Sequence, residues 1–211
     1  MNGYMKPQDI EKRSFEIITA ELGERTFPAG IAEVVKRVIH TTADFDYADS
    51  LAFSPDVIEQ AKAALAAGAT VVTDTNMALS GVSKVTLAKL GGKAVCLMAD
   101  EQVAREAKAR GVTRAVVSME HAAKFEGPLI FAIGNAPTAL IRLHELIEEG
   151  IVAPALVIGV PVGFVNVVEA KELFIGGDTP YIIARGRKGG SNVAASIVNA
   201  LLYQLVHREG F

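Results

Sequence analysis

The sequence predicts an α/β fold in which helices cover both faces of one mainly parallel sheet. Short apolar runs alternate with amphipathic helical patterns along the 211 residues, which is typical of βαβ units. Half of the residues are hydrophobic and none is tryptophan, and the prevailing alanine, valine and isoleucine suit strands buried between two helical layers. Right-handed crossovers place helices on both sides of such a sheet. The expected fold is therefore a three-layer α/β/α domain of the flavodoxin-like or Rossmann-like kind.

The chain is predicted to form one domain over residues 1–211, with a helical segment at its N-terminus. A chain of this length buries roughly 70% of the surface that its unfolded form exposes, so a full core needs no disulfide or metal. No Pro- or Ser-rich linker and no internal repeat divides the sequence.

Each element is predicted from its periodicity and its end signals. Asp100 and Gly111 frame one helix as N-cap and C-terminal glycine. Ser54, followed by Pro55, is expected to cap another helix, which Gly68 ends. The predicted helices are 7–22, 31–39, the segment from Ser54 to Gly68, 82–90, 101–110, a short stretch before 129, 137–149, 165–173 and 191–206; the predicted strands are 70–74, 94–98, 114–117, 129–133, 155–159 and 181–184.

Four polar or glycine-containing motifs directly follow predicted strands. They are Asp74-Thr75, Gly134-Asn135, Gly159-Val160-Pro161 and Gly186-Arg187. Open α/β sheets bind ligands beyond the carboxyl ends of their strands. The sequence therefore predicts a ligand site at this edge of the sheet.

Three glycine-containing turns lead into predicted helices, at residues 134–138, 162–166 and 189–191. Glycine permits close backbone approach, and the free amides of a helix start bind anions. Asn135 is expected to cap its helix, and Lys188 with its neighbouring arginine adds positive charge to the last turn. Together these features suit a ligand with several carboxylates, although each turn taken alone is better explained as an ordinary βα connection.

His40 is the strongest candidate for a chemical role. It closes the helical run 31–39 and is followed by Thr41, Asp44 and Asp46, so a side chain that titrates near neutrality has polar partners close by. A histidine near a helix C-terminus also interacts well with the helix dipole and need do no chemistry. Spacing alone does not separate these two interpretations.

Several classes of function are disfavoured. A net charge of −3 provides no broad basic surface for nucleic acid, and the apolar runs are far shorter than the ~20 residues that cross a bilayer. The spacings of a Walker motif, a G-x-G-x-x-G turn and a G-x-S-x-G elbow are missing from the sequence. Cys96 is the single cysteine and is expected to be buried, and His121, His144 and His207 are expected on helix surfaces, so no metal site is predicted.

Five motifs carry a family resemblance: RVIHTTADFD at 37–46, DTNM at 74–77, GNAPT at 134–138, PVGFV at 161–165 and GRKGGS at 186–191. Taken in this order they resemble the motifs of the precorrin-8X methylmutase family, including its cobalt-precorrin-8 form. No single motif is specific, whereas five in the same order are. The resemblance extends from about residue 10 to about residue 202 and so covers nearly all of the chain.

The resemblance implies an isomerase of cobalamin biosynthesis that moves a methyl group from C-11 to C-12 of a corrin precursor. The product is hydrogenobyrinate or, with cobalt in the ring, cobyrinate. Such a shift requires no cofactor from the protein; holding the ring and protonating it are what help. His40 matches the family's histidine and is carried over as the general acid, a role typically worth ~10²- to 10⁴-fold in rate. Thr41, Asp44 and Asp46 are alternative partners for orienting its imidazole.

The substrate implied by the resemblance is an apolar ring fringed with carboxylates. Arg114 is the first choice for a carboxylate clamp, because a guanidinium can hold both oxygens. The substrate-binding candidates are Ser14, Arg37, Thr41, Asp74, Thr75, Met77, Arg114, Asn135, Gly163, Lys188, Gly189, Gly190 and Ser191.

The resemblance also implies a homodimer with the site near the subunit contact. Because the sequence shows no signal peptide, we expect a cytoplasmic protein. Two other classes stay open on the sequence: a carrier that binds a tetrapyrrole without reacting, and a Rossmann-like nucleotide-binding module with a regulatory role. The enzyme alone requires His40, and the missing phosphate motifs disfavour the nucleotide-binding module.

Overall fold

A six-stranded sheet forms the centre of the computed structural model, which describes residues 6–206. The strands are β1 Leu51–Phe53, β2 Thr70–Thr73, β3 Lys93–Cys96, β4 Leu129–Ile133, β5 Leu156–Gly159 and β6 Tyr181–Ala184. They lie in the order β1-β6-β5-β4-β2-β3, with β1 antiparallel to β6 and the other pairs parallel. This mainly parallel sheet confirms the predicted fold class.

Helices occupy both faces of the sheet. In chain order they are α1 Pro7–Leu22, α2 Ile31–Thr42, α3 Tyr47–Ser50, α4 Val57–Ala66, α5 Asn76–Gly81, α6 Lys84–Lys89, α7 Glu101–Arg110, α8 Arg114–Ala122, α9 Pro137–Glu148, α10 Val167–Glu172 and α11 Ser191–Leu205.

Alternate residues of the central strands face two separate cores. In β4, Ile130 packs with residues of α2, α4 and α11, whereas Phe131 packs with residues of α8 and α9. In β5, Ile158 and Val157 divide in the same way, as the two-residue period of extended chain requires. Each fully buried side chain of this size contributes roughly 1.5–3 kcal/mol. Burial on both faces explains why the strands read as unbroken apolar runs.

The segment 114–117, predicted as a strand, is the first turn of α8. Thr113 is the N-cap, and its hydroxyl accepts a hydrogen bond from a backbone amide of that turn at 3.3 Å. Buried residues then recur at helical spacing, at Ala115, Met119 and Ala122. The prediction was wrong because the three apolar residues that follow Arg114 fit a buried strand and a helical turn equally well.

Ser54 does not cap a helix, contrary to the prediction. Its hydroxyl accepts a hydrogen bond from the amide of Tyr181 at 2.9 Å and so ties the end of β1 to the start of β6. Helix α4 begins instead at Val57, after Asp56 in a left-handed conformation. β1 itself was not predicted, because three residues are too few for alternation to show in a sequence.

The end signals of α7 are confirmed. The Asp100 carboxylate accepts hydrogen bonds from two amides of the first turn, and Gly111 ends the helix with φ at 68°. Helix α2 continues three residues beyond its predicted end and stops at Thr42, so His40 lies inside its last turn.

The structure also bears on Cys96, on the segment after β2 and on His207. Cys96 lies on the edge strand β3 and is partly exposed rather than buried. The α5 helix after β2 was not predicted, and His207 lies outside the described residues. Within residues 6–206, no helix is long and apolar enough to span a membrane.

Candidate active site at the carboxyl edge of the sheet

The loops after four parallel strands meet at one edge of the sheet. β2 leads into Asp74, β4 into Gly134, β5 into Val160 and β6 into Arg185. The loops also bond to one another, since the amide of Gly190 donates to the carbonyl of Val160 at 2.8 Å. The edge that the sequence predicts as a ligand site is therefore a connected set of loops.

Asp74 holds the loop after β4 in place. Its carboxylate accepts hydrogen bonds from the amides of Gly134, Asn135 and Ala136, at 2.9, 2.8 and 2.6 Å. The side chain is fully buried. Burial raises the pKa of the carboxyl, and the three amide bonds oppose that rise because they favour the ionised form. Asp74 thus provides the capping interaction that was expected from the Asn135 side chain, since the residue before α9 makes no side-chain cap.

Two glycines allow backbone segments to approach closely at this edge. A methyl group at Gly134 would lie 2.7 Å from the carbonyl oxygen of Gly190 and from the Cα of Ser191. A methyl group at Gly189 would overlap the carbonyl oxygen of Val160. The absence of a side chain at both positions lets the β6–α11 turn pack directly against the ends of β4 and β5.

Thr75 and Ser191 link the start of α5 to the start of α11. Their hydroxyl oxygens lie 2.8 Å apart, and the Thr75 hydroxyl also accepts a hydrogen bond from the amide of Ala78 as the N-cap of α5. Two helix starts are therefore fixed together at the edge of the sheet.

His40 lies at the outer end of α2 with its ring exposed. The ring stacks on Phe15 of α1, with centroids 5.3 Å apart and planes at 29°. Thr41, the next residue, is also exposed and its hydroxyl donates to the carbonyl of Arg37 at 2.9 Å. The stack fixes one face of the imidazole while leaving the group open to solvent.

Lys188 connects the loop after α2 to the β6–α11 turn. Its ammonium bonds the carboxylates of Asp44 and Asp46. The pairing with Lys188 lowers the pKa of the Asp44 carboxyl, and the two carboxylates raise the pKa of the Lys188 ammonium. This ion pair brings the His40 end of α2 to the carboxyl edge, although most of the chain separates the two segments.

Comparison with known proteins identifies the family. The precorrin-8X methylmutase model (CbiC) matches residues 9–204. The chain belongs to the precorrin-8X methylmutase family. The protein is therefore a methylmutase, an isomerase of cobalamin biosynthesis.

Relatives named cobalt-precorrin-8 methylmutase and relatives named precorrin-8X methylmutase both match this chain over nearly their whole length. The cobalt-precorrin-8 methylmutase of Salmonella typhimurium is 46% identical over 97% of this chain and 99% of its own. The precorrin-8X methylmutase of Pseudomonas aeruginosa is 40% identical over 92% of this chain and 94% of its own. The crystal structure of precorrin-8X methylmutase from Thermus thermophilus superposes with a TM-score of 0.85 at 39% identity, covering 92% of this chain and 94% of that one.

Two of the predicted substrate-binding residues, Ser14 and Arg37, lie near His40 in the contact between α1 and α2. Arg37 bonds the Glu11 carboxylate, and its guanidinium lies 4.6 Å from the centroid of the Phe15 ring and 5.3 Å from that of Tyr203. The Ser14 hydroxyl donates to a carbonyl of its own helix at 2.9 Å. Arg37 also borders a cavity of 290 Å³, lined by Arg37, Thr41, Gly81, Asn192, Ala195, Ser196, Asn199 and Tyr203.

Exposed apolar side chains surround the loops of this methylmutase. Met77, at the start of α5, is 73% exposed, and Phe164 and Val165 in the β5–α10 loop are 82% and 77% exposed. The Arg187 guanidinium lies 5.4 Å from the centroid of the Phe164 ring. Gly163, in the same loop, has φ at 152°, a conformation that favours glycine. The edge thus combines exposed apolar side chains with an arginine.

Arg114 lies at the same edge on the far side of β2. It is exposed at the start of α8, and its guanidinium donates to the carbonyl of Met98, beyond the end of β3, at 3.5 Å. The side chain is therefore attached to the end of the edge strand, as the first residue of a helix rather than of a strand.

Lys171 of α10 is a buried charged residue that was not predicted from the sequence. Its side chain has no exposed surface, and its ammonium donates to the carbonyls of Gly186 and Lys188 at 2.7 and 2.8 Å. Burial lowers the pKa of the ammonium to about 8, while carbonyl acceptors favour the protonated form. The one available signal was its place between buried Ala170 and Phe174 on the inward face of a short helix.

No group of three His, Cys, Asp or Glu side chains suited to a metal ion occurs among residues 6–206. His121 instead pairs with Glu106 at 2.8 Å, and His144 packs edge-on against Phe174 with centroids 5.5 Å apart.

Proposed function

We propose that this methylmutase moves the methyl group from C-11 to C-12 of precorrin-8X or cobalt-precorrin-8, with His40 as the general acid. The observation that supports this most is the position of His40: an exposed imidazole, stacked on Phe15 and joined to the carboxyl edge through the Lys188 ion pair. An exposed imidazole can reach a bound ring, and its stacked face keeps it from rotating freely.

The chemistry asked of the protein is small. The bond from the methyl group to C-11 breaks as the bond to C-12 forms within the same molecule. In the proposed step, His40 donates a proton to a ring nitrogen and so stabilises the altered charge of the ring. Because substrate and product are isomers, a proton gained by the ring is matched by one lost from it. The product is hydrogenobyrinate or, from the cobalt-containing substrate, cobyrinate.

The substrate-binding candidates divide by where their side chains lie. We propose that Met77 and the open surface at Gly163 contact the ring, and that Arg114, Asn135, Arg37 and the outward groups Ser14 and Thr41 receive its carboxylates. We assign Asp74 a positioning role, because its buried carboxylate is already bonded to three amides. Thr75, Lys188, Gly189, Gly190 and Ser191 shape the β6–α11 turn that completes the surface.

The test is a visible-absorption assay with precorrin-8X and with cobalt-precorrin-8, using wild type, His40→Ala and the control His121→Ala. His121 lies on α8, where its imidazole contacts the Glu106 carboxylate away from the site. We expect His40→Ala to lose about 10²- to 10⁴-fold in turnover while still binding the corrinoid, and His121→Ala to react at the wild-type rate. Wild-type turnover by His40→Ala would reject the general-acid role. Binding without reaction in all three proteins would favour a carrier.

Three coarser features accompany this proposal. We propose one domain over residues 1–211, a homodimer with the site near the subunit contact, and a cytoplasmic location. The exposed side chains of Phe164 and Val165, adjacent in one loop, support the homodimer, since neighbouring apolar groups on a surface commonly mark a contact. Two separate unfolding transitions in calorimetry would reject the single domain. Sedimentation that gives the 22.3 kDa mass of one chain would reject the homodimer. Recovery in a membrane or periplasmic fraction would reject the cytoplasmic location.

A further inference from the structure

Lys171 is the one fully buried lysine or arginine in the part of the chain that the structure describes. Its ammonium has two bonded partners, the carbonyls of Gly186 and Lys188, both in the loop between β6 and α11. A buried cation is costly unless it is fully hydrogen-bonded. The charge therefore strongly favours the loop conformation that directs both carbonyls inward.

The same loop faces outward with its side chains. While the Lys188 carbonyl points to Lys171, the Lys188 ammonium bonds Asp44 and Asp46 in the loop after α2. The Asp44 amide in turn donates to the hydroxyl of Thr42, in the last turn of α2. One residue thus bonds the buried amine through its backbone and the loop after His40 through its side chain.

We propose that Lys171 is a positioning residue for the methyl shift: it fixes the 186–188 loop and, through Lys188, the loop that follows His40. The inference rests on the proposed role of His40. Lys171 contacts no substrate, because its side chain is fully buried. Its effect on the reaction passes through the geometry of two loops, where a displacement of about 1 Å can cost ~10²-fold in rate.

Two substitutions separate positioning from simple stabilisation. Lys171→Met keeps the length and burial of the side chain and removes its donors, whereas Lys171→Gln keeps two donors on a shorter chain. Lys171→Gln can still satisfy one or both carbonyls, so it remains informative if Lys171→Met does not fold. The matched control is Lys89→Met, a change at an exposed lysine near the end of α6.

Kinetics are measured at a temperature where denaturation curves show each variant to be folded. For Lys171→Met we expect kcat to fall about 10²-fold with a smaller rise in KM, and for Lys171→Gln a smaller loss, with Lys89→Met unchanged. Wild-type kcat and KM in folded Lys171→Met would overturn the proposal, since a purely structural residue would change only the midpoint of unfolding. If Lys171→Met does not fold, wild-type kinetics in a Lys171→Gln variant with a lowered midpoint of unfolding would overturn it as well.

A double-mutant cycle tests the route through Lys188. If Lys171 and Lys188 act along one chain of contacts, substituting both lowers kcat about as much as the more damaging single substitution does. The two fold-decreases then do not multiply. Independent, multiplying losses would reject the route.

A measurement on the ligand-free protein, which does not depend on turnover, separates this inference from the proposed function. The imidazole resonances of His40, followed by NMR in the ligand-free protein, are expected to shift in both Lys171 variants and to stay in place in Lys89→Met. Unshifted resonances would reject the positioning role even if the protein is a methylmutase that uses His40. Shifted resonances with a fully active His40→Ala would keep the structural link and reject the general acid.

Discussion

Two polar regions of this protein use their charges in opposite ways. At the carboxyl edge, Asp74 and Lys171 are fully buried, and each bonds the backbone of a different segment of chain. On the outer face of α7, α8 and α9, by contrast, charged side chains pair with one another: Arg110 and Arg142 both bond Glu120. The remaining members of this surface network are Glu106, His121, Glu145 and Glu149.

The contrast shows what each arrangement can determine. A buried charge bonded to backbone groups specifies where a loop lies, because any other loop position leaves the charge or the amides unpaired. A side-chain ion pair that keeps access to water, as Arg142 and Glu120 partly do, can exchange its partners for water, and such surface pairs contribute ~0–1 kcal/mol. The buried charges of Asp74 and Lys171 thus fix the loops around the site, while the surface network adds modest support to the packing of three helices.

The largest effect is expected from Asp74→Ala. The change leaves three amides of the β4–α9 loop without their buried acceptor, and we expect the free energy of unfolding to fall by about 3 kcal/mol or more. Urea denaturation followed by circular dichroism measures it. The control is Asp49→Ala, because the Asp49 carboxylate is exposed and bonds the side chain of Arg25. Equal effects of the two substitutions would remove the distinction between the two kinds of polar region.

An intermediate effect is expected from Gly189→Ala. The added methyl group overlaps the carbonyl of Val160, so backbone must move, and the free energy of unfolding is expected to fall by about 2–3 kcal/mol. Gly177→Ala is the matched control. A methyl group there meets its first neighbour, the carbonyl of Phe174, at 3.6 Å, and its effect is expected within about 0.5 kcal/mol. If Gly189→Ala were as stable as wild type in the same denaturation assay, close packing at the edge would not constrain the turn.

The smallest effect is expected from Glu120→Gln in the surface network. Hydrogen bonding to Arg110, and then to Arg142, lowers the pKa of the Glu120 carboxyl below its ordinary value of 4.5. A lowered pKa in the folded state stabilises the protein above the unfolded pKa, and this contribution disappears as the pH falls through the folded pKa.

We therefore expect Glu120→Gln to cost about 0.5–1 kcal/mol at pH 7, and the difference from wild type to shrink as the pH falls below 4.5. Denaturation midpoints at a series of pH values give the result. A cost that stays constant down to acidic pH would show that the network acts by packing rather than by charge.

The sequence predicted the parallel strands of the sheet and the edge at which their loops meet, for a physical reason. Central parallel strands are buried on both faces, so their apolar runs stand out, and their shared direction places the loops after them together. The strand predicted at 114–117 was wrong because the three apolar residues after Arg114 are too few to reveal a period. The prediction that Ser54 caps a helix was wrong because the hydrogen-bond partner of its hydroxyl, the amide of Tyr181, is distant in sequence.

The site was predicted as a set of residues but not as a structure. The sequence placed Asp74, Lys188 and the loop after His40 in the motifs, yet it could not show which polar groups face inward. Asp74 bonds amides some 60 residues away, and Lys188 bonds carboxylates some 140 residues away. Lys171 was missed because lysine is ordinarily exposed, and burial depends on neighbours that sequence spacing does not give.

The order of the strands has a consequence for the carboxyl edge of the sheet. The chain runs outward in one direction from β4 through β5 to β6, and in the other direction from β2 to β3. Doubly wound sheets open a crevice at such a point of reversal, and a phosphate chain commonly enters it. Here the Asp74 carboxylate, which directly follows β2, spans that point by bonding three amides of the loop after β4. The two strands that diverge in chain direction are therefore joined by a buried charge where a doubly wound sheet ordinarily leaves its ends apart.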